Sequence, residues 1–293
     1  MRPSGEHLPP MLTEIHAGPY TVRGISVAGV YTSLQVPELR VVLDAGLPIR
    51  SFASTDDIFL SHSHPDHASG LTSLLGIRHL IGKGPARVFA PVEIADLLRD
   101  WVALSVRLYH AGFTAQIIPV EADQTFALRN DLFVRPFRTH HRGPSLGYQF
   151  IRRVQKLRPE FRDVSPQEIA RRRQEGDPAL FETFDHLELA YVTDTLSHVL
   201  DTAPFVLRSR VLILESTFVD ERRSIEDAHE RAHIHLDELI AREEHFQNEA
   251  IVLMHFSQAY SPGQVHEAVQ ARLPARLRDR VKVFAPESGR WFG

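Results

Sequence analysis

The stretch "FLSHSHPDHASG", residues 59–70, places His62, His64, Asp66 and His67 within six positions, directly behind an apolar run. Imidazole and carboxylate are donors that Zn²⁺ accepts, and such clustering has no packing rationale. A polar loop with a few surface histidines is the plainer alternative, but the spacing suits ligand chemistry better. His-x-His can direct two imidazoles at one ion, while the adjoining Asp-His pair points toward a second. Four such groups on one short turn imply two neighbouring metal ions. The chain contains no cysteine, which excludes disulfides, thiolate catalysis and Cys-based zinc sites. Zn²⁺ is the favoured ion, although Mn²⁺ or Fe²⁺ also accepts N/O donors.

Further ligands must come from elsewhere, and the ends of strands are where they would converge. His141 before "GPSLGY", Asp194 ending "LAYVTD" and His255 ending "AIVLMH" meet that test. Alone, each would read as an ordinary cap or turn residue. Their common position in a chain that already holds the histidine cluster makes them the candidate remainder of a di-metal site.

The elements that must carry these groups are legible in outline. Short strands are expected at 20–36, 39–46 and 57–62, then helices at about 65–76 and 91–110, the second starting at Pro91. Strands follow at 115–120, 131–137 and 146–151. Residues 152–186 are charged and read as a helical insertion. Beyond it come strands at 187–194, 210–217, 250–256 and 281–286, with helices at about 225–245 and 262–272. Strands then helices, twice over, indicate two βα halves, with two sheets packed inside layers of helix. The histidine cluster then falls on a strand-to-helix turn, with Pro65 in the first turn of the helix.

Composition bounds the rest. Of 293 residues, 43% are hydrophobic and 24% charged, enough for a sizeable core. The apolar runs, such as "VLIL" at 211–214, are too short to span a bilayer. The opening "MRPSGEHLPPMLTE" lacks the apolar stretch of a signal peptide. The expectation is a cytoplasmic protein without membrane association. The 33 Lys and Arg against 37 Asp and Glu give a charge of −4, no advertisement of nucleic-acid binding. A local patch would suffice, and one exists. Residues 152–173 carry Arg152, Arg153, Lys156, Arg158, Arg162, Arg171, Arg172 and Arg173 against three acids. Such a face could neutralise backbone phosphates, or be a solvated helix laced with ion pairs. Lys83 in "GKGP" (82–85) is a weaker candidate phosphate contact.

These motifs together resemble the metallo-β-lactamase superfamily, and within it tRNase Z, the tRNA 3′-processing endoribonucleases. "SHSHPDHASGL" is similar to the family's His-x-His-x-Asp-His motif, "THHRGPSLGYQF" to its H-x-x-P-S-x-G-Y segment, and "AYVTDT" to its bridging-Asp motif. "LILESTFVDE", "RAHIHLDELI" and "MHFSQAY" resemble its Glu, Ala-His helix and H-F-S-x-R-Y segments. The resemblance runs from about residue 20 to 270. It implies a four-layer αβ/βα sandwich as one domain over 1–293, with the insertion at about 152–186. It also implies one Zn²⁺ on His62, His64 and His141, a second on Asp66, His67 and His255, and Asp194 bridging the two.

The implied chemistry is hydrolysis of a phosphodiester by a metal-activated hydroxide. His233 would protonate the leaving 3′-oxygen, Glu215 would orient its ring, and Asp66 could help deprotonate the water. His235, on the same expected helix, would face another surface. The expected substrate is precursor tRNA, and the family's usual state is a homodimer. The Gly-Pro-rich knob of many bacterial members is absent from 152–186, so the match is closer to a short-form branch known chiefly from plants. Substrate grip would then fall to the basic segment, the dimer partner, or both. Two other readings stay open: a hydrolase of a small phosphodiester or thioester on the same fold, and a catalytically inactive RNA-binding relative. β-Lactamase activity is not expected, since those enzymes lack the Glu–His pair.

Overall fold

The computed structural model describes residues 12–292, so the opening stretch through residue 11 lies outside the described residues. The chain begins with β1 (Thr13–Ala17), β2 (Tyr20–Ala28), β3 (Tyr31–Val36), β4 (Val41–Leu43) and β5 (Asp57–Phe59). Two short helices, α1 (Pro65–Ala68) and α2 (Leu71–Leu80), precede β6 (Ala86–Pro91) and the long α3 (Val92–Tyr109). Then come β7 (Ala115–Val120), β8 (Phe126–Ala127), β9 (Leu132–Arg138), β10 (Leu146–Leu157), α4 (Pro166–Gln174) and β11 (Phe181–Val192). The last third holds α5 (Val199–Thr202), β12 (Val211–Glu215), α6 (Ile225–Glu230), α7 (Leu236–Ile240) and β13 (Ala250–Met254). It closes with β14 (Phe256–Ser257), α8 (Pro262–Arg272), α9 (Ala275–Arg278) and β15 (Val281–Val283).

Among the described residues these form two sheets. One runs β1-β2-β3-β4-β5-β6-β7, with β14 joining β2, and the other runs β15-β13-β12-β11-β10-β9-β8. Strands buried on both faces read as unbroken apolar runs, and alternate residues then serve different layers. Val211 and Ile213 of β12 and Val252 of β13 pack between the sheets with Val22, Leu34, Phe59 and Tyr148. Their neighbours Leu212, Leu214 and Leu253 pack outward beneath helices, with Val199, Leu236, Leu239 and Val265. The result is the four-layer αβ/βα sandwich that the alternation of elements predicts. No helix among the described residues is long and apolar enough to cross a membrane.

Several expectations need correction. The segment at 20–36 is a hairpin, β2 and β3, turning at Gly29. The helix expected at 65–76 is two helices, α1 and α2, broken around Ser69 and Gly70. The helix expected at 225–245 is likewise two, α6 and α7, interrupted at Ala232 with φ +59°. β1, β6 and β8 carry too few alternating apolar residues to stand out as strands.

The largest correction concerns 152–186, expected to be helical. Its helix is confined to α4 and a single turn at Pro159–Phe161. The remainder is an antiparallel arm, in which β10 and β11 pair from Ile151↔Leu187 out to Leu157↔Phe181. The arm is polar because it leaves the sandwich, so cross-strand pairing rather than a buried face makes these residues strands.

Candidate active site

The site lies at the carboxyl ends of strands, where an open α/β sheet leaves loops to carry chemistry. Asp44 follows β4, His62 and His64 follow β5, and Asp66 and His67 sit on α1. His141 lies between β9 and β10, Asp194 two residues past β11, Glu215 at the end of β12, and His255 directly after β13. Three of these residues hold left-handed backbone: Asp44 (φ +58°), Asp194 (φ +32°) and His255 (φ +60°). Such conformations cost a non-glycine residue of order 1–3 kcal/mol each and cluster at functional sites. They turn each side chain off its strand axis and toward the cluster. Gly46 closes the loop behind it, since a Cβ there would stand 1.8 Å from the Asp66 carbonyl oxygen.

Two tetrads of donor atoms result, each with its atoms within 4.8 Å of one another: His62, His64, His141 and Asp194, and Asp66, His67, Asp194 and His255. Asp194 belongs to both. His141 Nε2 lies 3.2 Å from His64 Nδ1, and His67 Nε2 lies 3.2 Å from His255 Nε2. The Asp194 carboxylate contributes one oxygen 3.2 Å from both His67 and His255, and the other 3.8 Å from both His62 and His141.

The outer partners of the rings show which nitrogens are free to act as ligands. His67 Nδ1 donates to Asp44 at 2.7 Å, and His141 Nδ1 donates to the Ala232 carbonyl at 3.3 Å. Ser61 Oγ donates to Asp44 and so accepts from His62 Nδ1 at 2.9 Å. Thr217 Oγ donates to Glu215 and accepts from His255 Nδ1 at 3.3 Å. Each ring therefore turns a lone pair inward. His62 Nε2 is buried and has no hydrogen-bond partner. Converging lone pairs and carboxylates repel unless a cation lies among them, and this donor set fits one.

Titration behaviour carries the same signature. Burial lowers His62 well below the ordinary imidazole value, with the neighbouring His67 adding to it. Burial also opposes charging of His67, yet Asp194 and Asp44 outweigh it and drive that ring well upward. Burial would raise Asp194, but His255 and His67 hold it well below the carboxylate range. The site seeks positive charge at its carboxylates.

Beside the tetrads stands Glu215, fully buried and accepting from Thr195 N at 2.7 Å, Thr217 Oγ at 2.6 Å, Ile234 N at 3.2 Å and His233 Nδ1 at 3.0 Å. Burial opposes the His233 charge, but Glu215 more than offsets it, so the ring is raised to about 9. Its centroid lies 5.6 Å from that of His141 and 5.4 Å from that of His255. His235 is not on a helix face as expected. It caps α7, with Nδ1 accepting from Asp237 N, and its Nε2 donates to the Asp220 carbonyl at 3.1 Å.

The expected substrate contacts are not brought here. Lys83 precedes β6, at the opposite end of the sheet from the cluster. β10 starts at the cluster, where Leu146 N donates to the Ser61 carbonyl, so the tip of the arm is roughly 35 Å away at the rise of an extended chain. Folding also supplies the arm with counter-charges. Arg152 pairs with Asp131 and Glu188, Arg153 with Asp185, and Arg158 with Glu160. Arg171 pairs with Glu168 and Glu175, and Arg172 with Glu168 and Asp177. Lys156 and Arg173 lie over the rings of Phe184 and Phe181.

Asp44 escaped the sequence reading. It accepts four hydrogen bonds, from Ser61 N, Ser61 Oγ, His67 Nδ1 and Tyr191 OH. Its signal was available, since "VVLDAG" ends a strand on an acid as "LAYVTD" does.

A four-layer sandwich with a His/Asp cluster at its strand ends defines a metal-dependent hydrolase of the metallo-β-lactamase fold. The model of the β-lactamase superfamily domain matches residues 33–256, a span that includes both tetrads. The chain is 32% identical to tRNase Z TRZ1 of Arabidopsis thaliana over 264 residues, covering 89% of this chain and 94% of the relative. It is also 32% identical to chloroplastic tRNase Z TRZ2 of the same plant over 263 residues, covering 88% and 74%. Among solved structures, the short form of human tRNase Z superposes with a TM-score of 0.55 at 18% identity, covering 94% of this chain and 97% of that one. The metallo-β-lactamase fold protein YhfI from Bacillus subtilis gives 0.60 at 13% identity, covering 96% and 98%. The chain belongs to the β-lactamase superfamily and, within it, to the tRNase Z family of metal-dependent endoribonucleases.

Proposed function

We propose that this chain is a zinc-dependent endoribonuclease that removes the 3′ trailer from precursor tRNA in the cytoplasm. In this reading His62 Nε2, His64 Nδ1 and His141 Nε2 hold one Zn²⁺, and Asp66, His67 Nε2 and His255 Nε2 hold the other. Asp194, with one oxygen toward His67 and His255 and the other toward His62 and His141, would contribute to both sites. When bound, the ions supply a water of low pKa and a positive field for the phosphoryl oxygens. Asp66, steadied by the Gly29 amide at 2.9 Å, is placed to accept a proton from that water. The leaving 3′-oxygen departs as a strongly basic alkoxide, so it needs a proton. His233 holds one, with Nδ1 engaged by Glu215 and Nε2 left to donate.

The Glu215–His233 pair is the observation that carries this reading. A thioester releases a thiolate, which needs no general acid, whereas an RNA phosphodiester releases a basic alkoxide, which does. The test compares precursor tRNA, bis(p-nitrophenyl) phosphate and a thioester on one preparation of stated metal content. Cleavage of the tRNA at its 3′ trailer is expected, and thioester turnover without phosphodiester cleavage would overturn the assignment.

The active form in this reading is a homodimer, and α3 supplies a face for it. Leu97, Leu104 and Leu108 are exposed at 68%, 58% and 68%, and with Trp101 they follow the spacing of a coiled-coil seam. Antiparallel pairing about a two-fold axis would set Leu97 against Leu108 of the other copy, and Trp101 against Leu104. Asp100 and Arg107 flank that seam, so each would meet its opposite across the axis.

A further inference from the structure

We infer that Arg142 and Arg231 form a phosphate-binding lip beside the active site, holding a backbone phosphate of the RNA next to the scissile one. The inference rests on the phosphodiester reading above. Arg142 directly follows His141, and its guanidinium donates to the Glu230 carbonyl, the residue before Arg231. One step further along, the Ala232 carbonyl accepts from His141 Nδ1. The loop bearing His141 and the turn bearing His233 therefore meet along one short seam, with an arginine on each side of it. Both arginines are exposed, and neither makes an ion pair with a carboxylate among the described residues.

That sets them apart from the cations of the arm. Over 152–186, eight Lys and Arg stand against seven acids, and five of those arginines are paired within the fold. A cation already paired gains little by neutralising a phosphate, since binding must first break the existing pair. An unpaired one at the edge of the reaction centre gains the full interaction and releases counterions from the strand. Glu230 is the acid nearest the lip in sequence, but Arg142 engages its carbonyl rather than its carboxylate. Two cations against one acid leave the lip net positive. Such contacts fix the register of the strand over the catalytic groups without reading its bases.

The experiment measures KM and kcat for precursor tRNA and for bis(p-nitrophenyl) phosphate in R142A/R231A and R142K/R231K. Without the two guanidinium–phosphate interactions, KM for the RNA should rise about tenfold in the alanine pair, and its log–log salt dependence should become shallower by about 0.7, the value for one phosphate on a single strand. The lysine pair should recover most of both. The loss on RNA should exceed the loss on the small diester about tenfold, because the latter has no neighbouring phosphate. Equal losses on the two substrates would assign the arginines to shaping the loop and overturn the inference. An unaltered RNA KM and salt slope would do the same. A wild-type protein that hydrolyses the small diester but no RNA would overturn the endoribonuclease reading itself.

Discussion

His67 Nε2 and His255 Nε2 face each other at 3.2 Å although 188 positions separate them in the chain. The contact is held from outside, by Asp44 on the far nitrogen of His67 and Thr217 on the far nitrogen of His255. Both rings are thereby kept in the tautomer that presents a lone pair. Partners of this kind set affinity as much as the ligands they orient.

Asp44→Asn should accordingly weaken metal binding at the His67 position by about 10–100-fold. Competition against a chromogenic chelator would measure it. Stoichiometric binding at wild-type affinity would show that Asp44 serves folding alone. Some loss of stability is expected as well, since the carboxylate is fully buried and accepts from Ser61 and Tyr191 in addition to His67.

His233→Ala should lower kcat on precursor tRNA, whose leaving group is an alkoxide, by about 10²–10⁴-fold while metal content stays near that of the wild type. Glu215→Gln should fall in the same direction, because the amide cannot hold charge on the ring. Retention of full turnover by the His233 variant would remove the general-acid assignment. Metal analysis on the same sample separates this from damage to the adjoining cluster.

Gly46→Ala places a methyl group 1.8 Å from the Asp66 carbonyl oxygen, so backbone must move. A cost of about 1–3 kcal/mol is the usual scale for forced overpacking. Denaturant unfolding would read it as a lower midpoint at unchanged slope. A wild-type midpoint would mean that the loop carrying Asp66 yields freely.

Leu104→Lys on α3 should shift the protein toward monomer in sedimentation velocity, because it sets two ammonium groups against the facing Trp101 residues. An oligomeric state identical to wild type would move the dimer interface elsewhere. The residue lies outside the metal cluster, so a folded monomeric variant also tests whether pairing affects turnover on tRNA.

The sequence alone determined which His and Asp side chains gather as candidate ligands, and the layer order. His62, His64, Asp66 and His67 are local to one turn, and His141, Asp194 and His255 each end or adjoin an apolar run that can only be a buried strand. Alternation of those runs with amphipathic segments then limits the architecture to two sheets between helices. What tertiary structure decided was everything set by pairing at long range. Residues 152–186 became an arm because β10 finds β11, and Arg152 and Arg153 were neutralised by the distant acids Asp131, Glu188 and Asp185. The turn holding His233 took its shape from Glu215 and Ala232 rather than from helical periodicity. Local chemistry survives in a linear pattern, but charge balance and ring orientation depend on partners that only the folded chain brings within a few ångströms.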